Sequence, residues 1–219
     1  MKIPICETFS SVQGEQAGLG RYAFFIRTYG CNLGNECPID CDTRYAWDSA
    51  IGDPSDHLEP EELADLVLSQ ARDMVVITGG EPLLWQDRLV QVIDRARALG
   101  SDDIDYFFET NGTIEPLQAL FDDRFVHFNV SPKRADFDYS RFPDVRSIFK
   151  HVVDRETENL DQLADRFKEL EPAILRRVFF MPSAKDQAHY RKVAPEIAAW
   201  CVENRFNFGP RLHLELRIA

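Results

Sequence analysis

Apolar runs typical of β-strands alternate with helix-like stretches along almost the whole chain. The predicted strands are YAFFIRT (22–28), MVVIT (74–78), DYFFE (105–109), FVHFNV (125–130), IFKHVV (148–153), RVFFM (177–181) and LHLELRI (212–218). Helical patterns lie between them at 60–71, 85–99, 157–170 and 185–204, with a weaker one at 115–121. This alternation predicts an α/β fold with a mainly parallel sheet, either open or curled into a full or partial barrel.

Polar and glycine-rich segments follow directly after the first four of these strands. Gly30 and several cysteines follow the first strand, GGEP the second, TNGT the third and SPK the fourth. In a parallel α/β architecture these positions share one face, at the carboxyl ends of the strands, where such folds place their active sites. The sequence therefore predicts that its unusual residues meet in one site.

The length and the net charge of the chain limit the classes of protein to which it can belong. With 219 residues, 44% hydrophobic content and 16 Phe, the chain can bury one large core, and we expect a single domain over 1–219. The net charge of −12 disfavours direct binding to nucleic acid or to an anionic membrane, but it leaves room for a local basic pocket. The opening MKIPICETFSSVQG lacks the apolar core of a signal peptide, so we expect a cytoplasmic protein.

The cysteines carry the strongest chemical signal. Cys31, Cys37 and Cys41 lie close together, and Asp42 and Thr43 follow at once. In a reducing compartment such a group is typical of metal or redox sites. Three cysteines suit a [4Fe–4S] cluster with one iron open to a ligand, and a three-ligand zinc site with an open position fits as well. The spacing alone does not choose between these two.

The segments around the cysteines resemble a known family. YGCNLGNECPIDCDT is similar to the cluster loop of radical S-adenosylmethionine (SAM) enzymes, and TGGEP (78–82) is similar to their methionine-binding segment. ETFSSVQGEQAGLGRYAFFIRTYGCNL, CDT, ETNGT (109–113) and VSPK (130–133) resemble the 7-carboxy-7-deazaguanine synthase family. The likeness is clear over 7–43 and 74–133 and faint over 134–219. It implies a partial parallel β/α barrel with a cluster loop at 29–47, and it implies a homodimer.

The resemblance also implies cofactors and the residues that hold them. The cluster ligands implied are Cys31, Cys37 and Cys41, which leave the fourth iron to S-adenosylmethionine. Reduction of the cluster then yields a 5′-deoxyadenosyl radical. The residues implied to bind S-adenosylmethionine are Gly79, Gly80, Glu81, Ser131 and Lys133. Glycines let backbone approach the cofactor, while a carboxylate, a hydroxyl and a cation suit its ammonium, ribose and carboxylate groups.

The substrate implied by the family is 6-carboxy-5,6,7,8-tetrahydropterin, which is converted to 7-carboxy-7-deazaguanine, a precursor of queuosine-type nucleosides, with loss of ammonia. Arg27 matches the partner of the substrate carboxylate, and Thr43 matches a position that helps to hold Mg²⁺. Gln13, Glu15 and Glu109 match positions that hydrogen-bond the pterin ring. An electron donor such as flavodoxin is implied, and no residue is assigned as a catalytic acid or base.

Three departures from the family pattern stand out. The cysteine spacing is C-x5-C-x3-C, whereas the family usually has C-x3-C-x2-C or a longer first gap. QGEQ places Gln16 where the family has glycine. At the C-terminus, Glu215 and Arg217 align with a family Gln and His, and we expect these changes to alter a substrate contact. Two alternatives therefore stay open. One is a radical enzyme with another target, such as a different heterocycle or a protein-radical activase, and the other is a zinc-stabilised binding module without catalysis.

Overall fold

A computed structural model describes residues 2–142 and 146–218. The described strands are β1 (Ile3–Val12), β2 (Tyr22–Thr28), β3 (Asp56–Leu58), β4 (Met74–Gly79), β5 (Asp105–Thr110), β6 (Val126–Val130), β7 (Ser147–Val153), β8 (Val178–Pro182) and β9 (Asn207–Phe208). They form one nine-stranded sheet in the order β3-β1-β2-β4-β5-β6-β7-β8-β9. Neighbours from β2 to β9 run parallel, whereas β1 pairs antiparallel with both β2 and β3. The predicted parallel α/β fold is confirmed, and the sheet is open because β3 and β9 form separate edges.

Helices follow most of the strands. They are α1 (Pro60–Gln70), α2 (Gln86–Ala98), α3 (Gln118–Asp122), α4 (Leu160–Lys168), α5 (Pro172–Leu175), α6 (Gln187–Asn204) and α7 (Leu212–Leu216). Local sequence sets their starts: Pro60 begins α1 behind a capping box of Glu59 and Glu62, and the Asp186 carboxylate caps α6. In the part of the chain that the structure describes, no helix has the length and apolarity that a membrane span needs.

The central strands are buried on both faces of the sheet. On β4, Val75 and Ile77 belong to the main core, whereas Met74 and Val76 pack in a second cluster that includes Phe107. Alternate residues of a strand point to opposite faces, so a continuous apolar run is what a strand with two covered faces requires. The second cluster adjoins the cavity described below, and Val76 contributes to both.

One predicted strand is wrong. LHLELRI (212–218) forms the short helix α7, and Arg217 ends it with a left-handed backbone. The alternation in this run is short, and tertiary contacts decide the outcome: the Leu212 N–H donates to the carbonyl of Gly14, and Leu214 packs against a cluster on α6. The preceding turn carries the small strand β9, which the sequence did not predict, and β1 was also missed.

Candidate active site

A cavity of about 660 Å³ opens at the carboxyl ends of the parallel strands. The predicted site residues that line it are Gln13, Glu15, Arg27, Cys31, Cys37, Cys41, Thr43, Gly79, Gly80, Glu109, Ser131 and Lys133. Glu81 is the predicted site residue that is not part of its wall. The cavity therefore joins the residues assigned to cluster, cofactor and substrate in one space.

The cluster loop is held at both of its ends. The Gly30 N–H donates to the carbonyl of Ala46 at 2.8 Å, and the indole N–H of Trp85 donates to the carbonyl of Tyr29 at 2.9 Å. Asn111, at the end of β5, has its Nδ2 atom 3.9 Å from the sulfur of Cys31. Cys31, Cys37 and Cys41 are half-buried free thiols that face the same cavity.

The glycine-rich turn after β4 lies directly against this loop. The Glu81 N–H donates to the carbonyl of Gly30 at 2.8 Å. A Cβ atom on Gly80 would overlap that carbonyl oxygen and lie 2.9 Å from Cβ of Cys31. Gly79 has a φ of 139°, which side chains rarely adopt. These two glycines let the turn approach the cluster loop and form the cavity wall there.

The side chain of Glu81 is fully buried within the protein. Its carboxylate accepts hydrogen bonds from the N–H of Leu83 at 3.0 Å, the hydroxyl of Thr110 at 2.8 Å and the N–H of Asn111 at 2.7 Å. Burial raises the pKa of this carboxyl group, although the three donors oppose the shift. In this arrangement Glu81 ties the glycine-rich turn to the end of β5, where Asn111 approaches Cys31.

Ser131 and Lys133 follow β6 on the same side of the cavity. The Ser131 N–H donates to the carbonyl of Thr110 at 2.7 Å, and the Lys133 ammonium donates to the Ser131 hydroxyl at 2.8 Å. Desolvation lowers the pKa of Lys133, and the nearby thiol of Cys37 opposes that shift. The pair presents a hydroxyl and a cation close to the cysteines.

A buried charged network forms the opposite side of the cavity. Lys150 on β7 donates to the carboxylate of Glu15 at 2.9 Å and also to that of Glu109. Glu109 accepts further bonds from the amides of Gln13 and Asn129. Burial alone would raise the pKa of Glu15, but Lys150 and Arg211 outweigh it and lower the pKa to about 2. The Glu15 carboxylate is therefore held ionised, and Lys150 orients both carboxylates.

Among the cavity residues that sequence reasoning missed are Lys150, Arg211 and His213. Arg211 reaches Glu15 at 3.3 Å, and His213 packs against Gly14 so closely that a Cβ there would lie 2.5 Å from its Nδ1. The signal for Lys150 was a lone cation inside the apolar run IFKHVV. No comparable local signal marks the other two: His213 fell within the strand predicted at 212–218, and Arg211 lies just before it.

The expectation that Glu215 and Arg217 alter a substrate contact is wrong. Glu215 forms an exposed ion pair with Arg191 at 2.7 Å, and the Arg217 guanidinium donates to the side chain of Gln187. Neither side chain lines the cavity. The helical course of this segment turns both outward and brings Arg211 and His213 inward.

Arg27 lies in an aromatic wall of the cavity. Its Nε donates to Glu7 at 2.7 Å, and its guanidinium carbon is 5.9 Å from the ring centroid of Phe9 and 5.7 Å from that of Tyr45. Among the described residues its two terminal nitrogens have no hydrogen-bond partner. They remain available to bind a carboxylate in bidentate fashion.

Comparison with known proteins decides the family. The model of the radical SAM superfamily matches residues 25–183. The 7-carboxy-7-deazaguanine synthase of Hyperthermus butylicus is 35% identical, over 98% of this chain and 92% of its own. That of Pyrobaculum aerophilum is also 35% identical, over 97% and 94%. The chain belongs to the 7-carboxy-7-deazaguanine synthase family of radical SAM enzymes. The family resemblance is thereby confirmed, and the match extends into the portion beyond 133.

The fold agrees with this family. The crystal structure of QueE from Escherichia coli matches with a TM-score of 0.69 at 23% identity, over 97% of this chain and 95% of that one. The open sheet is accordingly a radical SAM partial barrel, as the resemblance implied. A zinc-stabilised module without catalysis is not supported for a member of this family.

Radical SAM enzymes use a [4Fe–4S] cluster and S-adenosylmethionine, and the residues of the cavity fit both. Each thiolate of such a cluster binds a different iron, so the three sulfurs need not converge on one point. Among the described residues no three His, Cys, Asp or Glu side chains converge as ligands of a single metal ion. The three half-buried thiols beside the glycine wall supply the three protein ligands that such a cluster takes when its fourth iron is left to S-adenosylmethionine.

Proposed function

We propose that this chain converts 6-carboxy-5,6,7,8-tetrahydropterin to 7-carboxy-7-deazaguanine with loss of ammonia. The observation that carries the proposal is that one cavity joins the three thiols to the buried network of Gln13, Glu15 and Glu109. The family relatives of 35% identity bear the name of this product. The product serves the synthesis of queuosine-type nucleosides, and the chain's net charge of −12 argues against direct action on RNA.

In this proposal Cys31, Cys37 and Cys41 ligate the cluster. Gly79 and Gly80 let the protein backbone lie close to S-adenosylmethionine, and Ser131 and Lys133 bind its ribose and carboxylate. The Glu81 carboxylate is buried behind this wall, so its part is to hold the glycine-rich turn in place through its three hydrogen bonds rather than to accept from the ammonium group. When bound, the cluster and S-adenosylmethionine together supply a 5′-deoxyadenosyl radical.

The pterin occupies the side of the cavity that holds the charged network. Gln13 and the Glu109 carboxylate are fixed by their bond to each other, and Lys150 fixes both carboxylates, so their free lone pairs can accept N–H groups of the ring. Arg27 binds the pterin carboxylate with its terminal nitrogens. Thr43 contributes its hydroxyl to Mg²⁺, whose other ligands are water and substrate.

The proposal also covers the compartment, the electron donor and the assembly of the enzyme. Five free thiols and an oxygen-sensitive cluster require a reducing compartment, so we place the activity in the cytoplasm. The cluster takes its electron from a small reductase protein such as flavodoxin. A homodimer is the assembly that the family resemblance implies.

Arg27→Ala tests the substrate assignment. Loss of a bidentate charged pair predicts that the KM for 6-carboxytetrahydropterin rises by about tenfold or more, while S-adenosylmethionine binding stays unchanged. Arg72→Ala is the matched control, because Arg72 forms an exposed pair with Asp73 and neither residue lines the cavity. An unchanged KM removes Arg27 from the substrate site. A wild-type enzyme that yields no 7-carboxy-7-deazaguanine overturns the proposed function itself.

A further inference from the structure

Arg211 joins four separate parts of the chain. Its Nε donates to Glu15 at 3.3 Å, its Nη2 to Asp42 at 2.8 Å, and its Nη1 to the carbonyl of Ala184 at 2.9 Å. Its backbone N–H donates to the hydroxyl of Tyr190 at 3.1 Å. The side chain is only 10% exposed, so these bonds form largely away from water.

The bond to Asp42 is the critical one. Asp42 stands between Cys41 and Thr43. In the described chain, one hydrogen bond joins residues 38–42 to a residue outside the cluster loop. That bond is the one between Asp42 and Arg211. The contact of Cys41 with Thr43, at 3.5 Å, stays inside the loop. The third cysteine is thus anchored to the rest of the fold through one guanidinium, next to the hydroxyl assigned to Mg²⁺.

The two carboxylates that Arg211 joins differ in whether they have another ion-pair partner. Glu15 keeps a second cation, Lys150, at 2.9 Å. Asp42 has Arg211 as its one ion-pair partner among the described residues, and its side chain is 63% exposed. Removal of Arg211 therefore leaves Glu15 paired but releases the loop at Asp42.

We propose that Arg211 is a positioning residue that fixes the Cys41–Thr43 segment against Glu15. The part of this inference that concerns the pterin rests on the proposed function. The arrangement holds the cluster side and the substrate side of the cavity at a constant separation. A planar guanidinium can serve Glu15, Asp42 and a carbonyl at once, whereas a lysine offers one compact ammonium.

The first test is the rate at which anaerobic holoenzyme loses iron to a ferrous chelator. Arg211→Ala is expected to release iron about fivefold faster than wild type, which corresponds to the loss of one partly exposed ion pair. Asp42→Asn, a change at a more exposed position, is expected to produce the same acceleration without removing the buried guanidinium. In the double variant the two effects should not add, because both remove the same ion pair.

Arg191→Ala is the matched control. Arg191 anchors the same C-terminal helix through Glu215 but lies outside the cavity, so iron release should stay within about twofold of wild type. The second readout is the ratio of 5′-deoxyadenosine to deazapurine, which should rise with the pterin KM in Arg211→Ala. Arg211→Lys should recover part of each effect.

The outcomes separate this inference from the proposed function. Iron release needs no pterin, so an enzyme that forms no 7-carboxy-7-deazaguanine fails the proposed function and still reports on Arg211. Wild-type iron release in both Arg211→Ala and Asp42→Asn overturns the inference. Fast iron release in Arg211→Ala with wild-type release in Asp42→Asn also overturns the inference, because the acceleration then does not depend on Asp42.

Discussion

Gln16 and Gly209 form a tightly fitted pair at the rim of the fold. Gln16 has a φ of 46°, which is a left-handed backbone conformation. Such a conformation favours glycine, the residue that the family carries at this position. The residue is 9% exposed, and its amide atoms have no hydrogen-bond partner among the described residues. A Cβ atom on Gly209 would overlap the Nε2 atom of Gln16. This chain therefore accommodates Gln16 through the absence of a side chain at Gly209.

Gly209→Ala measures that dependence. In the wild-type background the added methyl must displace the buried amide, and we expect a loss of about 1–3 kcal/mol in the free energy of unfolding. In a Gln16→Gly background the space is free, and the same substitution should cost less than about 1 kcal/mol. Chemical denaturation of the wild type, the two single variants and the double variant gives the coupling free energy between Gln16 and Gly209. Equal costs in both backgrounds would show that the two residues do not compete for the space.

Glu15 predicts a specific pH dependence of stability. Its pKa falls from 4.5 to about 2 in the folded chain, so its stabilisation is complete above pH 4.5 and is lost as the pH falls toward 2. The shift corresponds to a stabilisation on the order of 3 kcal/mol. Glu15→Gln lacks this titration. The difference in unfolding free energy between wild type and variant should shrink from pH 5 to pH 2, measured by urea denaturation of cluster-free protein. A pH-independent difference contradicts the assignment.

At the scale of elements, the glycine-rich turn after β4 determines whether the cluster loop can close. Gly80→Ala would drive a methyl group into the backbone carbonyl of Gly30, which cannot rotate away as a side chain could. We expect the variant to lose most of its iron and sulfide and its brown absorbance after anaerobic purification. Gly100→Ala is the control: its φ is 99°, but nothing lies within 4 Å of an added Cβ. It should keep a full cluster, and full cluster loading of Gly80→Ala would refute the close-approach argument.

The elements differ in how far the sequence predicts them. The β4 prediction of 74–78 matches Met74–Gly79, because a strand buried on both faces needs an uninterrupted apolar run. The antiparallel strand β1 lacks that signature: IPICETFSSV mixes polar residues into a strand whose second half is half-exposed. The short helix α7 was mistaken for a strand because its contacts with Gly14 and α6 come from distant sequence.

The same distinction applies to the site. The cysteines, the glycines and Arg27 stand in local motifs, and the cavity contains them. Lys150 and Arg211 meet Glu15 from 135 and 196 residues away. Pairs so distant in sequence depend on the register of the whole sheet, which no local pattern encodes. A cation buried in an apolar strand, as at Lys150, is the single hint that the sequence offered.

At the scale of the molecule, the cavity concentrates charges of both signs. The chain carries a net charge of −12, and the described lining of its cavity holds Arg27, Lys133, Lys150, Lys185 and Arg211 together with six carboxylates. Lys150 and Arg211 are neutralised by buried carboxylates, whereas Arg27 retains unpaired terminal nitrogens in the described structure. The carboxylates of S-adenosylmethionine and of the pterin match the remaining positive positions. The cavity can thus hold the carboxylate groups of two small molecules, while the net negative charge of the chain disfavours nucleic acid.

The central claim is that this cavity carries out deazapurine formation by radical chemistry. The most direct test is anaerobic turnover of reconstituted protein with 6-carboxytetrahydropterin, S-adenosylmethionine, Mg²⁺ and dithionite, followed by mass spectrometry. We predict 7-carboxy-7-deazaguanine and an equal amount of ammonia from wild type, and neither from Cys41→Ser. Formation of 5′-deoxyadenosine by the wild type without 7-carboxy-7-deazaguanine would contradict the claim and show that the cavity acts on a different substrate.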